Sequence, residues 1–100
     1  MDISKSVENN LLTFKISGRL DTVTAPSLEA AVKEAVTPET SGMVFDMSDL
    51  EYTSSAGLRV ILMSHKLMSN TAEGFKLINV SADVKEVLEM TGFLDILTIE

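Results

Sequence analysis

The chain has no cysteine, a single histidine, two prolines and five glycines among its 100 residues. Without cysteine there is no disulfide framework, no thiolate zinc site and no thiol nucleophile, and His65 alone cannot build a transition-metal site. With proline and glycine scarce and 45% of the residues apolar, a disordered tail is not expected and one compact domain over residues 1–100 is. Basic residues are also short, eight against fifteen acidic, for a net charge of −7. That charge repels phosphate backbones and anionic lipid, and no local basic patch offsets it in the sequence, so direct nucleic-acid and membrane contacts are not expected. Long hydrophobic runs are missing too. The strongest, Val60 to Met63, is far too short to span a bilayer, and Met1 to Lys5 lacks the apolar stretch of a signal peptide, which points to a soluble, cytoplasmic protein. Size scaling for 10.9 kDa gives a folded surface of about 5,600 Å² and room for one modest core.

Apolar and polar residues alternate from Ile3 to Glu8, and again from Leu11 to Ser17 with Leu12, Phe14 and Ile16 on one face. Asn9-Asn10 between them suits a tight turn, so the pair reads as an antiparallel hairpin. Gly18 breaks the second run. Thr24 is placed to cap a helix with Pro26 in its first turn and Leu28, Ala31, Val32, Ala35 and Val36 as its inner stripe. Gly42 to Met47 reads as a strand buried on both faces, followed by a loop from Ser48 to Thr53 and a helix from about Ser54 to Asn70. Gly74 opens a further strand, Phe75 to Val80; Ser81 caps a third helix, with Val84, Val87 and Leu88 inward, that Gly92 stops; Ile96 to Ile99 closes the chain as a strand. The order implies an α/β fold: a mixed, partly parallel sheet of about five strands with about three helices packed against it.

In open sheets of this kind function gathers where strands feed into loops and helices, which directs attention to Asp46 through Val60. A helix start presents unpaired N–H groups and the positive end of its dipole, worth about 0.3–1 kcal/mol to an anion placed there. On a helical wheel Arg59, Lys66 and Asn70 mark the outer side, and Gly57, Val60, Ile61, Ser64, Leu67 and Met68 the sheet side, with Gly57 allowing a close approach. Ser55 then falls beside Arg59 and Lys66, whereas Ser54 turns toward the buried flank. Leu58 and Leu62 fall between and are expected to be partly wet, as on a recognition surface. Residue chemistry alone favours the plainer reading, in which Ser54 and Ser55 are helix caps and the leucines ordinary packing. Asp46 suits a loop-stabilising acceptor, and Asp46, Asp49 and Glu51 a solvated acidic stretch rather than a metal cage. His65 lies ten residues beyond Ser55 on one helix, about 15 Å along the axis, too far to activate that hydroxyl, so no catalysis is expected.

The strings Gly18-Arg19-Leu20-Asp21-Thr22-Val23-Thr24-Ala25 and Ser54-Ser55-Ala56-Gly57-Leu58-Arg59-Val60, in this order around Asp46, resemble the STAS domain family and within it bacterial anti-sigma factor antagonists. The resemblance implies a non-enzymatic partner-switching module without a cofactor. The unmodified form would bind an anti-sigma factor that is also a serine kinase and holds the adenine nucleotide; phosphorylation would dissolve the complex and a metal-dependent serine phosphatase would restore it. The family's target serine maps onto Ser55, and its partner-facing edge onto the loop with Asp21 and Thr22, where the Asp21 carboxylate equally suits an acceptor for backbone N–H groups of its own loop; Ser54, Leu58, Arg59 and Leu62 on the helix complete the expected partner surface. Many relatives carry aspartate where this chain has Ser54. The alternative within the family is a non-phosphorylated scaffold or ligand-binding subunit, for example of a lipid-transport ATPase.

Overall fold

Asn9 and Asn10 both adopt left-handed conformations, with φ of 52° and 68°, the pairing that matches the twist of a two-residue hairpin. They fold β1 (Asp2–Glu8) back on β2 (Leu11–Leu20) as an antiparallel pair. The computed structural model, which describes residues 1–100, continues with α1 (Ala25–Ala35), β3 (Gly42–Thr53), α2 (Ser55–Leu67), β4 (Gly74–Ile78), α3 (Ala82–Met90), a 3-10 turn at Phe93–Asp95 and β5 (Thr98–Ile99). The strands lie in the order β1-β2-β3-β4-β5, and every pair after the hairpin is parallel. The expected mixed sheet and its three helices are therefore present, over a surface of 5580 Å².

Because β2 to β5 step across the sheet in one direction, right-handed crossovers put all three helices on the same face. Alternation along the strands agrees. Leu12, Phe14 and Ile16, with Met43, Phe45, Met47, Phe75 and Leu77, join the helix residues Leu28, Val32, Val60, Ile61, Val84 and Leu88 in one core. Phe14 pairs with Phe45 and Phe45 with Leu77 across the strands, and Phe45 meets Phe14 and Phe75 edge-on at centroid distances of 5.9 and 4.9 Å. The opposite face carries Thr13, Lys15, Asp46 and Lys76, none of them in the core. β3 is buried on both faces from Gly42 to Phe45, as its apolar run suggests, although Val44, 5% exposed on the face away from the helices, stands outside the main core.

α2 ends at Leu67, β4 at Ile78, and β5 begins only at Thr98, each shorter than expected; two further boundaries differ from the sequence expectation for one reason. Gly18 does not end β2, which runs to Leu20, and the expected loop Ser48–Thr53 is the second half of β3. The two segments pair with register shifts between Lys15 and Ser17 and between Gly18 and Arg19, where Gly18 has φ +87°. A bulge of this kind spaces the buried residues Met47, Leu50 and Thr53 by three rather than two, so the period-two signature of a strand is lost although the pairing is not. At the other end of the core Ser81 caps α3 as expected, its Oγ accepting from Val84 N at 3.2 Å.

Candidate functional site

The extension of β2 and β3 brings two chain segments together at the carboxyl end of the sheet. Ser54 N donates to Leu20 O at 2.9 Å, which places the β2–α1 loop beside the start of α2. The helix then crosses the strands at close range through Gly57: a Cβ there would sit 2.7 and 2.9 Å from Leu20 side-chain atoms and against Thr53 Oγ1. Only glycine leaves room for this approach.

At this junction the neighbouring serines are sorted. Ser54 is the N-cap residue, extended at φ −99° and ψ 178°, but its side chain caps nothing; its Oγ is buried and has no hydrogen-bond partner. Ser55, the first residue of α2, is exposed, as the wheel predicts. With no side-chain cap, the first N–H groups of α2 keep their partial positive charge at the surface beside Ser55.

The adjoining loop is built around Asp21. Its Oδ1 accepts from Val23 N at 3.0 Å and Thr24 N at 3.1 Å. Thr24 does not cap α1 with its side chain as expected; its Oγ1 accepts from Asp21 N at 2.9 Å and donates to Arg19 O at 2.7 Å, closing the loop on itself. The backbone hydrogen bond from Thr24, with those from Val23 and the charge of Arg19, holds the Asp21 carboxyl below its ordinary value against a smaller opposing effect of desolvation. The Asp21 side chain is therefore occupied within the loop, whereas Thr22 is exposed. Arg19 lies over the Tyr52 ring at 4.2 Å, a contact the sequence could not show because it depends on the shifted register pairing those residues.

Two grooves flank α2. One, of about 510 Å³, lies between α1 and α2 and includes Thr22, Pro26, Glu29, Lys33, Ala56 and Arg59. The other, of about 410 Å³, is formed by Arg59, Leu62, Met63, Lys66 and Leu67. Arg59 is exposed and borders both; Leu62 is half-buried, as expected. Leu58 is a correction: it is 4% exposed and belongs to the core, because β3 continues to Thr53 and extends the sheet to the foot of α2 where a loop was expected. Leu67 is the opposite correction, 44% exposed instead of facing the sheet; α2 ends at that residue.

The other titratable residues do not converge on Ser55. Asp46 lies within β3 and accepts from Ser48 N at 3.0 Å and Asn79 Nδ2 at 3.1 Å. Burial raises its pKa, but these hydrogen bonds and the charge of Lys15 outweigh it and hold the carboxyl below its ordinary value. Asp49 pairs with Lys15 at 3.4 Å. His65 is half-buried and meets Phe75 edge-on at 6.5 Å.

This architecture has close counterparts. BtrV of Bordetella bronchiseptica, a protein named as an anti-sigma factor antagonist, is 31% identical over 96% of this chain and 83% of its own length. The crystal structure of an anti-sigma factor antagonist from Mycobacterium paratuberculosis matches with a TM-score of 0.83 and 25% identity, covering 98% of this chain and 85% of that one. SpoIIAA of Bacillus shares the fold in its unphosphorylated form, at TM-score 0.82, 17% identity and coverage of 99% and 88%, and in its phosphorylated form, at 0.75, 16%, 99% and 91%. The STAS domain model matches residues 2–100, hairpin, sheet and all three helices alike, and the chain belongs to the STAS domain family.

Proposed function

We propose that the chain is an anti-sigma factor antagonist that binds an anti-sigma factor while Ser55 is free and is released when that factor, acting as a serine kinase, phosphorylates it. The observation that carries this reading is the sorting of the serines at the head of α2: Ser55 is exposed, whereas the Ser54 hydroxyl oxygen is buried. The relatives named as antagonists support the class of partner, and the two forms in which SpoIIAA was solved show that a domain of this fold exists with and without phosphate.

The switch needs no rearrangement. In the free form, docking over Ser55 covers Thr22, Arg59 and the half-buried Leu62. Phosphate adds about −1.5 to −2 charge and three strongly hydrated oxygens to the middle of that contact. Desolvating them costs a few kcal/mol, and every 1.4 kcal/mol is about tenfold in affinity. Arg59, one turn along, holds the phosphate against the antagonist's own surface through a charge-assisted bond. Asp21 contributes through the shape of its loop. The adenine nucleotide belongs to the kinase, a serine phosphatase restores the free form, and the exchange takes place in the cytoplasm. The chain itself is a substrate and not an enzyme.

The test is to incubate the chain with purified candidate anti-sigma factor kinases and ATP and to map the added mass by fragmentation. A single phosphate on Ser55 is expected, with binding kept by Ser55→Ala and lost by Ser55→Asp. Modification confined to Ser54 or Thr53 refutes the site, and indifference of binding to both substitutions points to the scaffold alternative.

A further inference from the structure

Ser55 occupies only the first turn of α2, and the rest of the outer face of that helix has a composition of its own. From Tyr52 to Ala72 the chain runs 21 residues without a carboxylate, although it holds fifteen; the next longest such interval, Asn9 to Leu20, has 12. The cations in this stretch, Arg59 and Lys66, are in no ion pair: the three in the structure join Lys15 to Asp49, Lys33 to Glu29 and Lys76 to Glu100. Residues 55, 59, 62 and 66 are separated by four, three and four positions and so form one stripe of the helix. Arg59 and Lys66 thus bracket Leu62, and with Met63 and the exposed Leu67 they form a groove that no carboxylate lines. Across Arg59, the groove toward α1 has one carboxylate, Glu29, and Lys33 neutralises it at 3.1 Å.

We infer that this strip is the seat for a segment of the anti-sigma factor that is apolar along its centre and acidic along its rim, an inference that rests on the antagonist reading above. The sequence shows no basic patch; the helix makes one by aligning two unpaired cations with greasy side chains and excluding every acid from the face. An apolar surface with a cationic border attracts a partner of the opposite border and repels a basic-rimmed one. The arrangement also gives phosphorylation a second effect. A phosphate of about −1.5 to −2 charge at Ser55 offsets the charge of Arg59 and Lys66. It withdraws the attraction for the acidic rim at the same time as it blocks the contact.

The test measures affinity by calorimetry between each candidate anti-sigma factor kinase and the chain at low and high salt. Lys66→Glu is expected to weaken binding at least about tenfold at low salt, with the deficit shrinking several-fold near 1 M, where the screening length falls to about 3 Å. Leu67→Ser is expected to cost about tenfold at both salts, as a loss of apolar contact. Lys85→Glu, the same charge change at an exposed site on α3, controls for net charge and is expected to stay within about twofold of wild type. Both strip residues are exposed, and unchanged thermal melts confirm that the variants fold. If Lys66→Glu matches Lys85→Glu at both salts while Ser55→Asp still abolishes binding, the strip is not the seat and the antagonist reading stands. If the wild-type chain binds none of the factors, both fall.

Discussion

Ser54 and Ser55 carry the same hydroxyl one position apart, the first with its oxygen buried and the second exposed. Two residues further on, Gly57 lets α2 lie against Leu20 and Thr53. Gly57→Ala drives a methyl group into Leu20, which is fully buried and cannot yield. Overpacking of this kind costs about 1–3 kcal/mol, against about 1 kcal/mol regained from helix propensity. The close contacts place the cost near the upper end, so a net loss of about 1–2 kcal/mol is expected, read as a lower urea midpoint with unchanged slope. Asp21 supplies a pH-dependent contribution at the same scale. Its carboxyl is held below the ordinary value of 3.8, so the folded state favours its charged form. The stability it contributes is complete above the unfolded value and is lost as pH falls through the lower, folded one. Asp21→Asn should therefore be less stable than wild type at neutral pH, and the gap should close below about pH 4. A gap that widens in acid contradicts the loop geometry.

Elements form here by unequal mixtures of local and distant causes. The hairpin is local: two asparagines supply the two left-handed positions that its turn needs. α3 is also local at its start, where Ser81 takes up Val84 N. Ser81→Ala should cost about 1 kcal/mol, a fall in Tm of about 4–8 °C for a domain of this size; no change in Tm shows that another acceptor takes the N–H. β3 is the contrary case. Its first half reads plainly as Gly42 to Met47, whereas its second half, spaced by a bulge, acquires strand conformation only by pairing with Ser17 to Leu20. The same pairing displaced Leu58 from the expected docking surface into the core.

At the scale of the whole molecule the fold separates stability from switching. The helices and the core lie on one face of the sheet, and Ser55 stands at its carboxyl end, outside the packed interior. Charging that position changes what the surface attracts without disturbing what holds the domain together. Ser55→Asp should accordingly unfold within about 0.5 kcal/mol of wild type, the range of substitutions at uncommitted surface sites. Amide resonance shifts should be confined to the start of α2 and the Asp21 loop. Shifts spread through β1 or α3 would instead indicate a conformational mechanism.

The sequence by itself determined the element order, the hairpin, the cap of α3, the outward Ser55 and the resemblance of its two motifs to a known family. These rest on local conformational preference and helical periodicity, which neighbouring residues set among themselves. Tertiary structure alone decided the single-sided core, the bulged second half of β3, the burial of Leu58, the exposure of Leu67 and the use of Asp21 within its own loop. Each depends on which distant segment a residue meets, and a shift of one position in strand pairing changes that without leaving a periodic trace in the chain.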